Sequence, residues 1–191
     1  LTSLTIENGN ETILDPACGS GTLLSSAYRK KMDLLVGSLN LERLIEEYHR
    51  QFVERDLTGV DIMPFSAHLT AMNLTMQSPS SRTERVRIGV DDSLRLDPGA
   101  EIGGLVGDLT PLVSDHRLGT VELTTGEVEG AFTIEKVDVI VMNPPFTHKR
   151  RITKEMRRPI SRRWWSELGR LHYWSYFMLH APDLLKENGK I

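Results

Sequence analysis

The residues best suited to chemistry stand in one run at positions 139–146, where an apolar strand is followed directly by Asn-Pro-Pro-Phe. Each proline fixes φ, lacks an N–H group and favours an extended conformation in the residue before it, so the turn is stiff and rich in carbonyl acceptors. Asn143 adds a side-chain oxygen, and Phe146 adds a flat apolar face for stacking. The run therefore suits a planar ring that carries an amino group. The alternative is that Asn-Pro-Pro only ends a strand.

A glycine-rich turn is the second candidate site. It follows a short apolar strand, precedes a helical run and consists of Asp15, Pro16, Ala17, Cys18, Gly19, Ser20 and Gly21. Glycines let the backbone approach a ligand, and the helix N-terminus offers unpaired N–H groups. Leu24 occupies the place of the third glycine in the dinucleotide fingerprint, and the Gly-Lys-Ser/Thr of a P-loop is absent. The acid that begins the turn suits a ligand with a positive group, such as the ammonium of S-adenosylmethionine.

Two more predicted strands end in carboxylates. Residues 57–62 contain Asp61, and a carboxylate at the C-terminal end of a strand can accept hydrogen bonds from both hydroxyls of a ribose. A turn or a helix cap is the alternative for Asp61, because Pro64 and a helical run follow. Residues 86–94 repeat the pattern with Asp92, which either accepts a hydrogen bond from an adenine amine or caps the next turn.

These four elements, in this order, resemble the N6-adenine DNA methyltransferases of type I and type IIG restriction-modification systems. The resemblance extends over most of the 191 residues. The glycine-rich turn and the Asn-Pro-Pro-Phe motif are specific as a pair, whereas the two acids depend on their order along the chain. The resemblance implies S-adenosylmethionine as the cofactor and double-stranded DNA as the substrate, with specificity and restriction subunits or domains as further partners.

The resemblance also implies a role for each motif. The residues implied in cofactor binding are the turn at positions 15–21 together with Asp61, Ile62, Asp92, Ser93 and Leu94. The residues implied in catalysis are Asn143, Pro144, Pro145 and Phe146. The adenine must be flipped out of the duplex, because its N6 is otherwise paired and stacked. Phe146 then stacks on the ring, the Asn143 oxygen and the Pro144 carbonyl accept the two N6 hydrogens, and no metal is required.

Composition agrees with one soluble domain. The chain has 39% hydrophobic and 26% charged residues, no run approaches the roughly 20 apolar residues of a spanning helix, and no signal peptide is recognisable. Cys18 is the single cysteine, so no intrachain disulfide can form, and a cytoplasmic location is expected. Its place in a glycine-rich turn without an evident base favours a small packing residue over a nucleophile.

Strands alternate with helical runs, which predicts a mostly parallel sheet with helices packed on it. The resemblance implies a Rossmann-like α/β fold in which helices cover both faces of this sheet. Two helical stripes are expected to face the core, one formed by Leu41, Leu44, Ile45, Tyr48 and Phe52 and the other by Phe65, Leu69, Met72 and Met76. A hairpin is predicted between residues 121 and 134. A later helix is expected to bury Tyr173, Trp174, Phe177 and Met178 and to close at Asn188-Gly189, where another strand begins.

The chain starts without methionine and stops as a strand begins, so we interpret residues 1–191 as a fragment of a methyltransferase catalytic domain. In the family that it resembles, an upstream segment helps to enclose the cofactor and a separate domain selects the DNA sequence. Neither of these is recognisable in the chain.

A basic segment directly after the Asn-Pro-Pro-Phe motif is the predicted contact with nucleic acid. Its basic residues are Lys149, Arg150, Arg151, Lys154, Arg157, Arg158, Arg162 and Arg163. Glu155 is the one acid between positions 149 and 163, so the segment carries +7, and the rest of the chain carries −10 because the whole carries −3. Such a segment at the mouth of the site attracts a polyanion. A solvated loop is the alternative.

Two other functions are compatible with the motifs. The Asn-Pro-Pro-Phe turn also suits a glutamine amide of a protein or an amine of RNA, although the basic segment favours nucleic acid. A non-catalytic DNA-binding or interaction module that retains the fold is the second alternative, and the intact Asn143 and glycine-rich turn argue against it.

Overall fold

The protein's structure, a computed structural model, describes residues 5–36, 42–83, 85–106, 131–164 and 170–191. Within these ranges the strands are β1 (Ile13–Asp15), β2 (Leu57–Asp61), β3 (Arg85–Val90), β4 (Glu101–Val106), β5 (Ala131–Thr133), β6 (Val137–Ile140) and β7 (Leu185–Lys190). The α-helices are α1 (Thr22–Leu35), α2 (Glu42–Gln51), α3 (Pro64–Thr75), α4 (Lys154–Arg163) and α5 (Tyr173–Leu184). A π-helical turn, Phe52–Asp56, joins α2 to β2.

The strands form one sheet with the order β5-β4-β3-β2-β1-β6-β7. Strands β3, β2, β1, β6 and β7 are parallel, and β4 and β5 are antiparallel additions at one edge. Along the chain, β2 and β3 are added on one side of β1, and β6 is then added on its other side. The strand order therefore reverses at β1, and the carboxyl ends of β1 and β6 border the crevice where open α/β sheets bind ligands.

Helices cover both faces of the sheet, as predicted from the alternation of strands and helices. On one face α1, α3 and the π-helical turn bury apolar side chains against β1, β2 and β3. On the other face α5 packs against β1, β2 and β6. A third apolar cluster joins α4 and α5 to the segment after β3. Together these clusters hold the sheet edge that carries the candidate site.

The predicted core-facing stripe on α3 is wrong for three of its four residues, and Leu69 is partly buried. Phe65, Met72 and Met76 are 66%, 38% and 52% exposed, and the buried side chains of α3 are instead Ala67, Thr70, Ala71, Leu74 and Thr75. The spacing identifies an apolar face of a helix but does not say whether other residues cover it. Small buried residues let α3 come close to the glycine-rich turn.

The expectation for α5 is wrong in part. Tyr173 and Phe177 are buried, but Trp174 and Met178 are 39% and 43% exposed. The helix also ends at Leu184, and β7 follows at once, with Asn188 at φ +65° inside the strand. Asn tolerates this left-handed conformation better than most residues that have a side chain. Since Asn188 lies within β7, it marks an irregularity of that strand and not the end of the helix.

Two other expectations are only partly covered by the structure. In the α2 stripe, Phe52 is fully buried and Leu44, Ile45 and Tyr48 are partly buried, whereas Leu41 lies outside the described residues. Of the predicted hairpin, residues 121–130 lie outside the described ranges, and Ala131–Thr133 forms β5. No helix among the described ranges is long and apolar enough to cross a membrane.

Candidate active site

The glycine-rich turn leaves the carboxyl end of β1 and enters α1. Gly19 and Gly21 have φ values of +54° and +77°, which L residues with side chains rarely adopt. The Gly21 N–H donates to the Cys18 carbonyl over 2.7 Å, closing a tight turn directly before the helix. Gly21 is also sterically restricted, since an added Cβ there would lie 2.9 Å from Thr70 Cγ2. Both glycines are therefore required by the backbone of the turn.

Asp61 connects this turn to the end of β2. Its Oδ2 accepts the Gly19 N–H over 2.9 Å, and its Oδ1 accepts the Met63 N–H over 2.8 Å. The Cys18 N–H donates to the Val60 carbonyl over 3.1 Å. The structure thus brings Asp61 and the turn together as expected. It also shows that Asp61 shapes the turn, which its position at a strand end did not indicate. Its ribose contact stays a prediction.

Asp15 is a buried carboxyl at the start of the turn, with 1% of its surface exposed. The pKa of Asp15 is raised to about 7, chiefly by burial and to a smaller extent by the nearby Asp61, although a hydrogen bond from the Ala17 N–H opposes both effects. A carboxyl in this setting gains its charge readily only when a positive group lies beside it. The electrostatics of the turn therefore suit a cationic ligand.

Cys18 is a packing residue in the structure. Its side chain is buried against α3, where the Thr70 hydroxyl oxygen lies 3.5 Å from Sγ. Burial raises the pKa of the Cys18 thiol to about 12, so the reactive thiolate is strongly disfavoured.

Asp92 lies after β3 and caps the short 3₁₀ turn Ser93–Arg95, since its Oδ1 accepts the Leu94 N–H over 3.1 Å. The capping alternative is thus present, and the adenine contact stays a prediction. Burial raises the pKa of Asp92, and Leu94 is buried in the cluster between α4 and α5. Ile62, the other implied cofactor contact beyond the turn, is 64% exposed.

The Asn-Pro-Pro-Phe turn starts beside the carboxyl end of β1. Residues Ile13 and Leu14 align with Val139 and Ile140, and the Val141 N–H donates to the Leu14 carbonyl over 3.0 Å. Asn143, which lies two residues after Val141, is exposed. Pro144 is buried, Pro145 is exposed and the Phe146 ring is 75% exposed. The turn therefore presents an amide and an aromatic face next to the turn that leaves β1.

A family model described as N-6 DNA methylase matches residues 1–191. The chain belongs to the N-6 DNA methylase family. No curated protein matches the chain.

The chain has the fold of type I modification subunits. The modification subunit of a putative type I restriction enzyme from Vibrio vulnificus is 21% identical, with a TM-score of 0.52 over 94% of this chain. A chain from a structure of a type I R-M system, solved to explain complex assembly and conformational transition, is 18% identical, with a TM-score of 0.51 over 97%. The present chain spans 27% of the length of each of these chains.

The residues of the basic segment differ in exposure. Arg150, Arg151, Arg157 and Arg158 are exposed and Lys149 is partly exposed, while the side chain of Arg162 lies outside the described residues. Arg163 is used inside the fold. Its guanidinium binds Asp97, His180 and the Leu96 carbonyl and lies 3.6 Å from Asp183. Arg163 thus fixes α4 to α5, and it is the weakest candidate for a phosphate contact.

Two residues that contact the glycine-rich turn were missed in the sequence. The Thr70 hydroxyl donates to the Gly19 carbonyl over 2.8 Å, and the Asn73 amide donates to the Ser20 carbonyl over 2.7 Å. Their spacing of three places both on one side of α3. Polar residues at that spacing occur on many helices, so nothing local marked them.

Asp15→Asn should remove a pH dependence of stability. The pKa of Asp15 is about 7 in the folded protein against an ordinary 3.8, so the folded state holds the proton more tightly. Below pH 3.8 this difference contributes fully to the free energy of unfolding, by up to about 4 kcal/mol at roughly 1.4 kcal/mol per pKa unit. The contribution is lost as the pH rises through 7. We expect urea unfolding to show wild-type stability falling more steeply from pH 5 to 8 than that of Asp15→Asn. Equal slopes would refute this, and the exposed-site variant Asp33→Asn is the control.

Proposed function

We propose that the chain is the catalytic domain of an S-adenosylmethionine-dependent DNA methyltransferase that modifies N6 of adenine within a restriction-modification system. The observation that carries this proposal is the position of the two motifs. The glycine-rich turn leaves β1, the Asn-Pro-Pro-Phe turn leaves β6, and these strands are neighbours where the strand order reverses. A methyl donor and a methyl acceptor can therefore meet at one crevice.

The residues of the first turn fit S-adenosylmethionine, which supplies a methyl group on a positively charged sulfonium. Asp15 provides a buried carboxyl for the cationic end of the cofactor, and Asp61 retains lone pairs for the ribose hydroxyls. Within the described residues the Ser20 N–H has no acceptor, and the N–H groups of the first turn of α1 are those that a helix leaves unpaired. Asp92, Ser93 and Leu94 are the candidates beside the adenine, and Ile62 is a further candidate for a contact with the cofactor.

The second turn supplies the chemistry at the acceptor. Phe146 exposes its ring for stacking on a flipped adenine, and this placement costs little rearrangement because the ring is already in solvent. The Asn143 side-chain oxygen and the Pro144 carbonyl accept the two N6 hydrogens and keep electron density on the nitrogen. The stiffness that Pro144 and Pro145 give to the turn holds these acceptors in place, so orientation and fixed dipoles lower the barrier.

The remaining partners follow from the same proposal. The exposed arginines after the motif attract the phosphates of double-stranded DNA, in a cytoplasmic enzyme. We assign residues 1–191 to the catalytic domain and assign the choice of DNA sequence to polypeptide outside it. Specificity and restriction subunits or domains are the proposed partners, since the chain spans about a quarter of the modification subunits that share its fold.

One experiment tests the function. Purified protein is incubated with methyl-labelled S-adenosylmethionine and, in separate reactions, with duplex DNA, RNA or a glutamine-containing protein. We expect label in DNA only, and digestion to nucleosides should yield N6-methyladenosine in its deoxy form. Label in RNA or protein would replace the proposal with one of the alternatives, and cofactor binding without transfer to any substrate would favour a non-catalytic module.

Asp61→Ala should weaken the binding of S-adenosylmethionine. A hydrogen bond to a charged group contributes about 1.5 to 3 kcal/mol, which corresponds to roughly tenfold to more than a hundredfold in affinity. The loss of the Gly19 contact adds to the effect of the lost ribose contact. Calorimetry measures the affinity, and Asp33→Ala on the exposed side of α1 is the control. Wild-type affinity in Asp61→Ala would remove Asp61 from the site.

Asn143→Ala should abolish methyl transfer and leave S-adenosylmethionine affinity within about threefold of wild type. Asn143 is assigned to the target base and lies in a different turn from the cofactor contacts, so the two measurements should separate. Transfer is followed with labelled cofactor and binding by calorimetry. Wild-type turnover by this variant would exclude the proposed mechanism.

Replacing Arg150, Arg151 and Arg157 with Ala should weaken binding to all DNA sequences alike. Each lost phosphate contact should reduce the slope of log affinity against log salt by about 0.9 for duplex DNA. The control replaces three exposed arginines on and after α2, namely Arg43, Arg50 and Arg55. A wild-type salt slope in the first triple variant would show that the basic segment is a solvated surface.

A further inference from the structure

The glycine-rich turn is held from the side by α3. Thr70 and Asn73 lie three residues apart on that helix, and they donate hydrogen bonds to two consecutive carbonyls of the turn, those of Gly19 and Ser20, over 2.8 and 2.7 Å. Thr70 is fully buried, so its hydroxyl has no access to solvent. Both side chains bind the backbone of the turn directly, so each can influence a ligand through the conformation of the turn.

The two hydrogen bonds also orient the N–H groups of the turn. In a trans peptide the C=O and the following N–H point in opposite directions. Because the Gly19 carbonyl faces α3, the Ser20 N–H of the same peptide faces away from α3. Within the described residues this N–H has no acceptor, whereas the Gly19 and Gly21 N–H groups are bonded to Asp61 and the Cys18 carbonyl. The arrangement leaves one backbone donor directed away from the helix.

The contact between turn and helix is close enough to make the orientation specific. An added Cβ on Gly21 would lie 2.9 Å from Thr70 Cγ2 and 3.1 Å from Thr70 Cα. The backbone of the turn therefore rests against Thr70 without an intervening side chain. A rotation of the Gly19 peptide would break the Thr70 hydrogen bond and take the carbonyl acceptor away from the fully buried Thr70 hydroxyl.

We propose that Thr70 and Asn73 are positioning residues for the cofactor: they clamp the Gly19 and Ser20 carbonyls so that the Ser20 N–H is presented to an acceptor group of bound S-adenosylmethionine. This inference rests on the proposed function, since it names the same ligand. It adds to that function two residues on α3 that do not touch the ligand. The clamp cuts the cost of binding because the donor is oriented before the cofactor arrives.

The test compares Thr70→Val, which keeps the shape and removes the hydroxyl, with Thr75→Val on the same helix. Thr75 is a matched control, because its hydroxyl is buried but donates only to the Ala71 and Met72 carbonyls within α3. Thr70→Ser is the rescue variant, because it keeps the hydroxyl and loses the methyl group. Asn73→Ala tests the second half of the clamp.

The first measurement is amide hydrogen exchange in protein without ligand. We expect the Gly19 and Gly21 amides to exchange about tenfold faster in Thr70→Val than in wild type, because the turn is no longer held. Asn73→Ala should have a similar but smaller effect. Thr75→Val and Thr70→Ser should exchange at wild-type rates at these two amides.

The second measurement is calorimetric affinity for S-adenosylmethionine, well below the melting temperature of each variant. We expect Thr70→Val to bind about threefold to tenfold more weakly, as the loss of one neutral hydrogen bond implies, and the controls to bind within twofold of wild type. A residue that only stabilises the fold would lower the melting temperature and leave this affinity unchanged.

The outcomes separate the two proposals. If wild type binds S-adenosylmethionine and Thr70→Val binds it equally well, the clamp is overturned and the proposed function stands. If wild type does not bind S-adenosylmethionine, the proposed function fails, and so does the role of the clamp in cofactor binding. The exchange rates of Gly19 and Gly21 then decide whether the two side chains hold the turn.

Discussion

The reversal of strand order at β1 is the constraint on which the site depends. Parallel strands end at the same edge of the sheet, and at β1 the connections to the two sides diverge. The crevice between these connections is therefore a property of the backbone topology and does not depend on the side chains that line it. The glycine-rich turn and the Asn-Pro-Pro-Phe turn are the two connections that leave strands beside this crevice. Asp15 ends β1 and Asn143 follows β6, so residues that are 128 positions apart in the chain lie at the same edge of the sheet.

Helix α3 gives the crevice its shape on one side. Apart from Leu74, its buried face consists of small side chains, and this allows the backbone of the glycine-rich turn to lie directly against the helix. Its apolar stripe, which a sequence pattern would assign to the core, is exposed. The same helix thus has a close contact with the turn on one side and exposed apolar side chains on the other. Larger residues on the side that contacts the turn would move the turn out of the crevice.

The parts of the fold that could be predicted from sequence are those with local causes. Prolines and glycines restrict the backbone wherever they occur, so the two turns at Gly19–Gly21 and Asn143–Phe146 were identified together with the strands before them. Alternation of strands and helices predicted the sheet, because few other arrangements bury both. The order of motifs then indicated the family, which the match over the whole chain confirms.

The parts that could not be predicted have causes in tertiary structure. Whether Phe65 is covered depends on what packs beside α3, and whether Arg163 faces DNA or Asp97 depends on how α4 meets α5. Asp61 was expected at the ribose, but its contact with Gly19 depends on the exact approach of β2 to the turn. In each case the residue type was compatible with several partners, and only the assembled fold selects one of them.

The side-chain hydrogen bonds from α3 to the glycine-rich turn have a consequence for cooperativity. They join residues 51 and 53 positions apart, so this part of the support of the turn forms only when α3 has docked on the sheet. Local opening of α3 therefore also releases the turn, and the two behave as one unit that unfolds and refolds together. A ligand that binds only the ordered turn lowers the population of that open state, and its binding energy thereby protects the whole segment from β1 to α3. Ligand occupancy of the crevice and the resistance of this segment to proteolysis both report the equilibrium between the ordered and the open state of the segment, so they should rise together.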